Sequence, residues 1–148
     1  QLTNVLQAMI LTYGKKMLLT PTYHIFKMYV PFQDAQLIPI QLHQGEYRYG
    51  DITLPQVDGI AAKGKDGHIY VALTNIDPNQ PITVSTRISG ENFSSASGHI
   101  LTAPAVNSIN TFAASDVVAP QPFSAQSVDG NLVLTLPAKS VLVVRLNP

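Results

Sequence analysis

The amino-acid sequence predicts a mainly β fold, and three features of the chain support that prediction. Short apolar stretches alternate with polar residues, most clearly at 82–88 (Ile-Thr-Val-Ser-Thr-Arg-Ile), as in strands that bury one face. Turn-forming pairs such as Asp66-Gly67 and Asp129-Gly130 separate these stretches. Eleven prolines and nine glycines among 148 residues further indicate many turns.

The start of the chain predicts a hairpin. Apolar runs at 8–12 and 16–19 flank a turn that contains Gly14, which is the pattern of two short paired strands.

A short helix is expected next. Thr20 stands where an N-cap belongs, and Pro21 occupies the first helical position, where its missing N–H group costs nothing. We expect the helix to run to about Tyr29 and to carry a broad apolar face. That face consists of Tyr23, Ile25, Phe26, Met28 and Tyr29. A helix this short and this apolar must pack against another surface, which indicates that the chain is one part of a larger protein.

The rest of the chain predicts strands and connections. Residues 37–42 form an expected edge strand, because Pro39 cannot donate to a ladder. Residues 43–51 are polar and aromatic and predict an exposed loop, and 89–97 predict a second polar loop. Prolines in 103–127 indicate an extended crossing from one sheet to another. Further strands are predicted at 59–63, 68–75, 82–88, 98–102, 124–128, 131–136 and 140–146.

Composition excludes several classes of protein. Hydrophobic residues make up 45% of the chain, enough for one ordinary globular domain. Nine basic residues balance nine acidic ones, so no net positive charge favours binding to nucleic acid or to an anionic membrane. No apolar run approaches the roughly 20 residues that a helix needs to cross a bilayer. The absence of cysteine excludes a disulfide scaffold and leaves the compartment open. Since the sequence begins at Gln1 without a leader, we expect its true start upstream or removed.

Candidate chemistry is sparse. Asp66, Asp77 and Asp129 fall in predicted turns, where a carboxylate caps backbone N–H groups, and we expect structural or solvated roles for the other acids. The four histidines (His24, His43, His68 and His99) are scattered and form no i,i+4 pair, so no metal site is predicted.

An aromatic surface is the alternative that the residues leave open. Tyr47, Tyr49 and Tyr70 are the candidates for stacking on sugar rings, which would make the chain a non-catalytic carbohydrate-binding sandwich. The competing interpretation of Tyr47 and Tyr49 is an aromatic cover over the edge of the sandwich.

Several long motifs resemble a known family. They are Gln-Leu-x-Asn-Val-Leu-Gln-Ala-Met-Ile-Leu-Thr at 1–12, Lys-Met-x-Leu-Thr-Pro-Thr-Tyr-His-x-Phe-x-Met-Tyr at 16–29, and the stretches 99–102, 107–112 and 136–144. Together they closely resemble the C-terminal region of α-L-arabinofuranosidases of glycoside hydrolase family 51. The resemblance covers essentially the whole chain, but only about the last third of a family member.

This resemblance implies a fold in two parts. Residues 1–30 would be the end of a (β/α)8 catalytic barrel, namely its last loop and helix, and 31–148 a C-terminal β-sandwich of jelly-roll type. The remainder of the barrel, as a separate chain or a missing segment, is then the expected partner. It is also the simplest cover for the outer face of the final strand, whose residues 141–144 are apolar on both sides.

The resemblance also implies an activity. Family members remove terminal arabinofuranose from arabinan or arabinoxylan oligosaccharides with retention and without metal or cofactor, and a homo-oligomer is expected. Their two catalytic glutamates lie on earlier barrel strands, and no residue here matches either motif, so the chain supplies no catalytic residue. Gln1 matches the glutamine that contacts the arabinose ring, and Asn4 is a weaker candidate for the same subsite. An endoglucanase of the same family stays open.

Two surface positions depart from the family pattern. Tyr13 and Lys15 stand where an acidic turn is common, and Ala113-Ala114 follows Thr111-Phe112 where Asp-Asn is usual. We expect both to affect the fine structure of substrate recognition and subunit contacts.

Overall fold

The computed structural model describes residue 3 and residues 8–43, 45–87 and 92–148. Strands dominate these residues, which confirms the predicted mainly β class. The strands are β1 Ile10–Tyr13, β2 Lys16–Leu19, β3 Gln36–Ile38, β4 Glu46–Tyr49, β5 Ile52–Pro55, β6 Val57–Lys63, β7 Ile69–Asn75, β8 Ile82–Thr86, β9 Ser95–Leu101, β10 Gln121–Val128, β11 Asn131–Leu136 and β12 Ser140–Asn147. Helix α1 spans Pro21–Met28, and a 3₁₀ turn follows at Val30–Phe32.

Eight strands form one antiparallel sheet in the order β3-β6-β7-β12-β9-β10-β11-β8. Strand β10 joins its two halves: Gln121 to Gln126 pair with β9, whereas Ser127 and Val128 pair with β11. The sheet curls at this strand so that the two halves face each other as in a sandwich. The crossing predicted at 103–127 is made only by β10: residues 102–120, which we call the β9–β10 connection, return the chain to the same half of the sheet, where Gln121 pairs with Ile100.

The main core lies between the two halves. It is built from alternate residues of the facing strands, as a sheet with one buried face requires. Leu134 and Leu142 have no exposed surface, and burial of each leucine stabilises the fold by about 1.5–3 kcal/mol. The buried members are Val57, Ile69, Leu73, Val84, Ala96, Ile100, Leu132, Leu134, Leu136, Leu142, Val144 and Leu146.

Helix α1 packs on the outer face of the sheet. Its residue Met28 belongs to a second buried cluster, which also contains Ala72, Leu101, Val118 and Val143. The outer face of β12 at Val143 is thus covered from within the chain, so the prediction that the missing barrel supplies this cover is wrong there. The expected apolar face of the helix is only partly buried, since Phe26 stays 64% exposed.

Some of the predicted strands and loops agree with the structure and others do not. The β1–β2 hairpin forms as expected, with Gly14 at φ 58 in its two-residue turn. Strand β3 is an edge strand, as predicted, but it ends at Ile38, so the strand predicted over 37–42 is wrong from Pro39 onward. The loop predicted at 43–51 is wrong, because β4 and β5 pair there around Gly50, which adopts φ 56. Strand β9 begins at Ser95, inside the loop predicted at 89–97.

Candidate functional site

The predicted sugar-binding residues Gln1 and Asn4 lie outside the described residues. Thr3 and Ala8, close to these two residues in the chain, are described. Thr3 forms a parallel bridge with Ile10, which places the entry of the chain beside β1. The neighbouring Ala8 is buried, with only 3% of its surface exposed.

Thr20 fastens the base of the β1–β2 hairpin. Its hydroxyl lies 2.9 Å from the carbonyl oxygen of Ala8 and 3.1 Å from that of Met9, and its backbone N–H donates to Met9 at 3.0 Å. Thr20 is the N-cap residue of α1 with extended backbone angles, as predicted, but its side chain makes no capping hydrogen bond to the helix. The hydroxyl that would cap the helix holds the hairpin instead.

Asn110 connects the hairpin to the sandwich. Its side chain is buried, and its amide nitrogen donates to the carbonyl oxygens of Leu19, at 3.0 Å, and Val118, at 2.9 Å. Its amide oxygen accepts the N–H of Val118 at 2.8 Å. Because all three bonds are buried or partly buried, the amide fixes the end of β2 against the β9–β10 connection.

The tip of the hairpin meets the same β9–β10 connection. The rings of Tyr13 and Phe112 have centroids 6.2 Å apart and an interplanar angle of 52°. Tyr13 is 76% exposed and Phe112 39% exposed, so the contact lies at the surface. The two departures from the family pattern, at Tyr13 and beside Phe112 at Ala113, are therefore neighbours in space.

A groove of about 470 Å³ runs between α1 and the outer face of the sheet. Four nitrogen-bearing side chains line it: His24, Lys27, His99 and Arg145. Burial lowers the pKa of His24 below its ordinary value, and the charge of Lys27 lowers it further, while Asp116 opposes the shift. The lining of this groove contains no carboxylate, so it cannot supply the acid and nucleophile of glycoside hydrolysis.

Two acidic residues in predicted turns accept hydrogen bonds from residues close to them in the chain. Asp77 accepts the N–H groups of Asn79 and Gln80 at 2.8 and 2.9 Å, which confirms its predicted role in a turn. Asp66 accepts the hydroxyl of Tyr70 at 2.7 Å and the N–H of His68 at 3.1 Å, and these bonds lower the pKa of its carboxyl group. Among the described residues, no three His, Asp or Glu side chains are grouped in a way that could hold a metal ion.

The candidate aromatic residues do not share one surface. Tyr47 and Tyr49 lie on the separate β4–β5 hairpin, whereas Tyr70 lies on the eight-stranded sheet. The ring of Tyr70 contacts Phe32 at 6.3 Å between centroids, and its hydroxyl is bonded to Asp66. A single aromatic platform over one sheet face, which the carbohydrate-binding alternative predicts, is not formed by these three residues.

Comparison with known proteins assigns the chain to a family. The family model of the alpha-L-arabinofuranosidase C-terminal domain matches residues 1–140. The chain belongs to this family. It is 39% identical over 148 residues to an intracellular exo-alpha-L-arabinofuranosidase of Bacteroides ovatus, covering 99% of this chain and 29% of the relative.

Solved structures agree with this assignment. The GH51 arabinofuranosidase from Xanthomonas axonopodis pv. citri is 48% identical with a TM-score of 0.94, over 99% of this chain and 30% of that one. The Thermotoga maritima alpha-L-arabinofuranosidase, in its arabinose complex, shares the fold with a TM-score of 0.81 at 24% identity, over 98% of this chain and 32% of that one. The resemblance to the C-terminal region of family 51 enzymes is thus confirmed, and the chain spans about three tenths of these relatives.

Two residues of this alpha-L-arabinofuranosidase C-terminal domain have roles that the sequence alone does not predict. Asn110 lies within the motif at 107–112, so its position in a matched stretch was the available signal, but its partners are 91 and 8 residues away in the chain. For Thr20 the sequence predicts only the position of a helix N-cap. The hydrogen bonds of Thr20 to Ala8 and Met9, and that of Asn110 to Leu19, join segments that only the fold brings together.

Within the described residues, no helix has the length and apolar character that crossing a membrane requires.

Proposed function

We propose that this chain is the sandwich end of a retaining, exo-acting α-L-arabinofuranosidase that releases terminal arabinofuranose from arabinan or arabinoxylan oligosaccharides. The 39% identity to the exo-alpha-L-arabinofuranosidase of Bacteroides ovatus supports the proposal most directly. Because the chain covers 29% of that relative, the larger part of the enzyme, with its catalytic groups, would precede Gln1.

The proposed division of the chain is the one that the resemblance to family 51 implies. Residues 1–30 would complete the catalytic barrel with a loop and its last helix, and 31–148 would form the sandwich. The partner of the chain is then the remainder of the barrel, in an enzyme that assembles as a homo-oligomer. The hydrogen bond from the buried amide of Asn110 to Leu19 supports a role for the sandwich in holding the barrel's last loop.

The proposed mechanism assigns different work to the two parts. Retaining hydrolysis requires two carboxyl groups roughly 5–5.5 Å apart, one as nucleophile and one as acid and then base. The preceding portion of the enzyme would carry both. Gln1, and more weakly Asn4, would contribute one edge of the sugar subsite, since an amide donates to and accepts from sugar hydroxyls at once.

The full-length enzyme tests this function directly. We expect it to release arabinose from arabinan and arabinoxylan oligosaccharides, and the first anomer detected by proton NMR should keep the configuration of the substrate. Binding of oligosaccharide without release would favour the carbohydrate-binding alternative. Internal cleavage of a glucan chain without release of arabinose would favour the endoglucanase.

Replacement of Gln1 by alanine in the full-length enzyme should lower kcat/KM by roughly 10- to 100-fold, equivalent to about 1.4–3 kcal/mol, through the loss of one or two sugar hydrogen bonds. Steady-state kinetics on an aryl arabinofuranoside measure this change. Gln36→Ala is the matched control, because Gln36 is exposed on the edge strand β3. Equal kcat/KM values for the two variants would remove Gln1 from the subsite.

A further inference from the structure

The β4–β5 hairpin has one apolar face and one polar face. Tyr47 pairs with Leu54 and Tyr49 with Ile52, and directly opposed residues of an antiparallel pair point to the same side. Because side chains alternate along each strand, these four residues form one continuous face, which we call the hairpin apolar face. The opposite face carries Glu46 and Arg48, which form an ion pair at 2.7 Å, together with Thr53.

The hairpin apolar face is largely open to solvent. Tyr49 is 74% exposed, Ile52 57% and Leu54 47%, while Tyr47 is half-buried. A two-stranded hairpin is marginally stable in water unless another surface packs against it. Aromatic and aliphatic side chains gathered on one face of such a hairpin therefore indicate a surface that another body covers.

The hairpin projects from the end of the sheet where the chain enters. The hairpin leads into Val57, which pairs with Asn75, and Asn75 pairs in turn with Ser140. Pro21, at the start of α1, lies at the same end, where it lines a groove together with Leu101, Lys139 and Val141. Thr3, near the start of the chain, forms a bridge with Ile10 of β1. The residue before Ile10, Met9, accepts the N–H of Thr20, next to this start of α1.

We propose that the hairpin apolar face is a docking surface for the catalytic portion of the same polypeptide, the portion that precedes Gln1. The relatives continue for about 70% of their length outside the matched region, so a body more than twice the size of this chain must adjoin it. The charged side of the hairpin, at Glu46 and Arg48, would face solvent.

The size of the surface favours this occupant over a second copy of the chain. The four side chains present on the order of 400 Å² of apolar area, about half of the 800 Å² that each partner buries in a stable protein–protein interface. A contact within one polypeptide needs less area, because its partner is already held nearby. Two aliphatic side chains among the four also suit a protein surface better than the face of a sugar ring. The inference rests on the proposed function only in assigning the preceding portion to a catalytic body.

Photo-cross-linking in the full-length enzyme tests the proposal. The photoreactive residue p-benzoyl-phenylalanine is introduced in place of Tyr49, and in a second variant in place of Ile52, so that failure of one variant to fold leaves the other. The matched control carries the same residue in place of Arg48, on the opposite face. After irradiation, we expect cross-links at 49 and 52 to peptides that precede Gln1, at least fivefold more abundant than at 48. A mixture of isotope-labelled and unlabelled enzyme identifies links made within one molecule.

Other outcomes overturn the proposal. Cross-links between labelled and unlabelled molecules would assign the surface to a second copy. Cross-links that join the photoreactive residue to added arabinan oligosaccharide would assign it to substrate. The absence of links at both 49 and 52 would show that the face is uncovered. The arabinofuranosidase assay on the same variants separates this inference from the proposed function: an inactive enzyme with the expected links refutes the function alone, and an active enzyme without them refutes the docking alone.

Discussion

Replacement of Gly98 by alanine should lower the free energy of unfolding by at least about 3 kcal/mol and the melting temperature by about 10 °C. Gly98 lies in β9 opposite Val144 of β12. A Cβ atom at this glycine would lie 2.1 Å from the carbonyl oxygen of Val143 and 2.8 Å from the Cα of Val144. Both are backbone atoms of a central strand, so no rotamer change relieves the clash and the two strands must move apart.

The measurement is urea unfolding of the chain followed by far-ultraviolet circular dichroism. Gly45→Ala is the matched control, since a Cβ atom there meets only the flexible end of Gln56, at 3.1 Å, and the residue is exposed. The control should stay within about 0.5 kcal/mol of the original protein. If the two variants unfold at the same urea concentration, the close approach of β12 to position 98 does not require a glycine there.

The isolated chain should show no turnover of an aryl arabinofuranoside above the uncatalysed rate. Two positioned carboxyl groups supply proton transfer and covalent attack, and we expect both to lie in the portion that precedes Gln1. Enzymes typically accelerate their reactions by a factor of about 10⁶ or more, so the loss should be complete within the sensitivity of the assay.

The assay compares the isolated chain with the full-length enzyme at the same molar concentration. Intact-mass spectrometry of the chain preparation excludes contamination by a longer polypeptide. Turnover by a preparation that passes this test would show that the described chain carries its own catalytic groups, and the proposed division of labour would have to be abandoned.

Local sequence signals predicted those elements that depend on neighbours in the chain. The β1–β2 hairpin and α1 follow from a glycine turn and from Pro21 at the first helical position. Strand β8 follows from strict alternation of apolar and polar residues. The β4–β5 hairpin was missed, because tyrosines alternate there with charged residues and the composition resembles that of an exposed loop.

Contacts between distant segments were not predictable from the same signals. The apolar run in β12 correctly indicated cover on both faces, but periodicity does not identify the covering residue, which is Met28 at Val143. Likewise, the bond from Asn110 to Leu19 forms only when the end of β2 and the β9–β10 connection meet. The assignment of Gln1 and Asn4 to the sugar subsite came from resemblance and stays a prediction.

The position of β12 in the sheet has a consequence for synthesis of the protein. This strand is the twelfth in chain order, yet it lies between β7 and β9 and pairs with both. While the ribosome is still making the chain, β7 and β9 each have an edge without its partner, and the sheet cannot close before Ser140–Asn147 have emerged. The eight-stranded sheet is therefore completed only after β12 has been made, and an arrest between Leu101 and Ser140 leaves two aggregation-prone strand edges in the nascent protein.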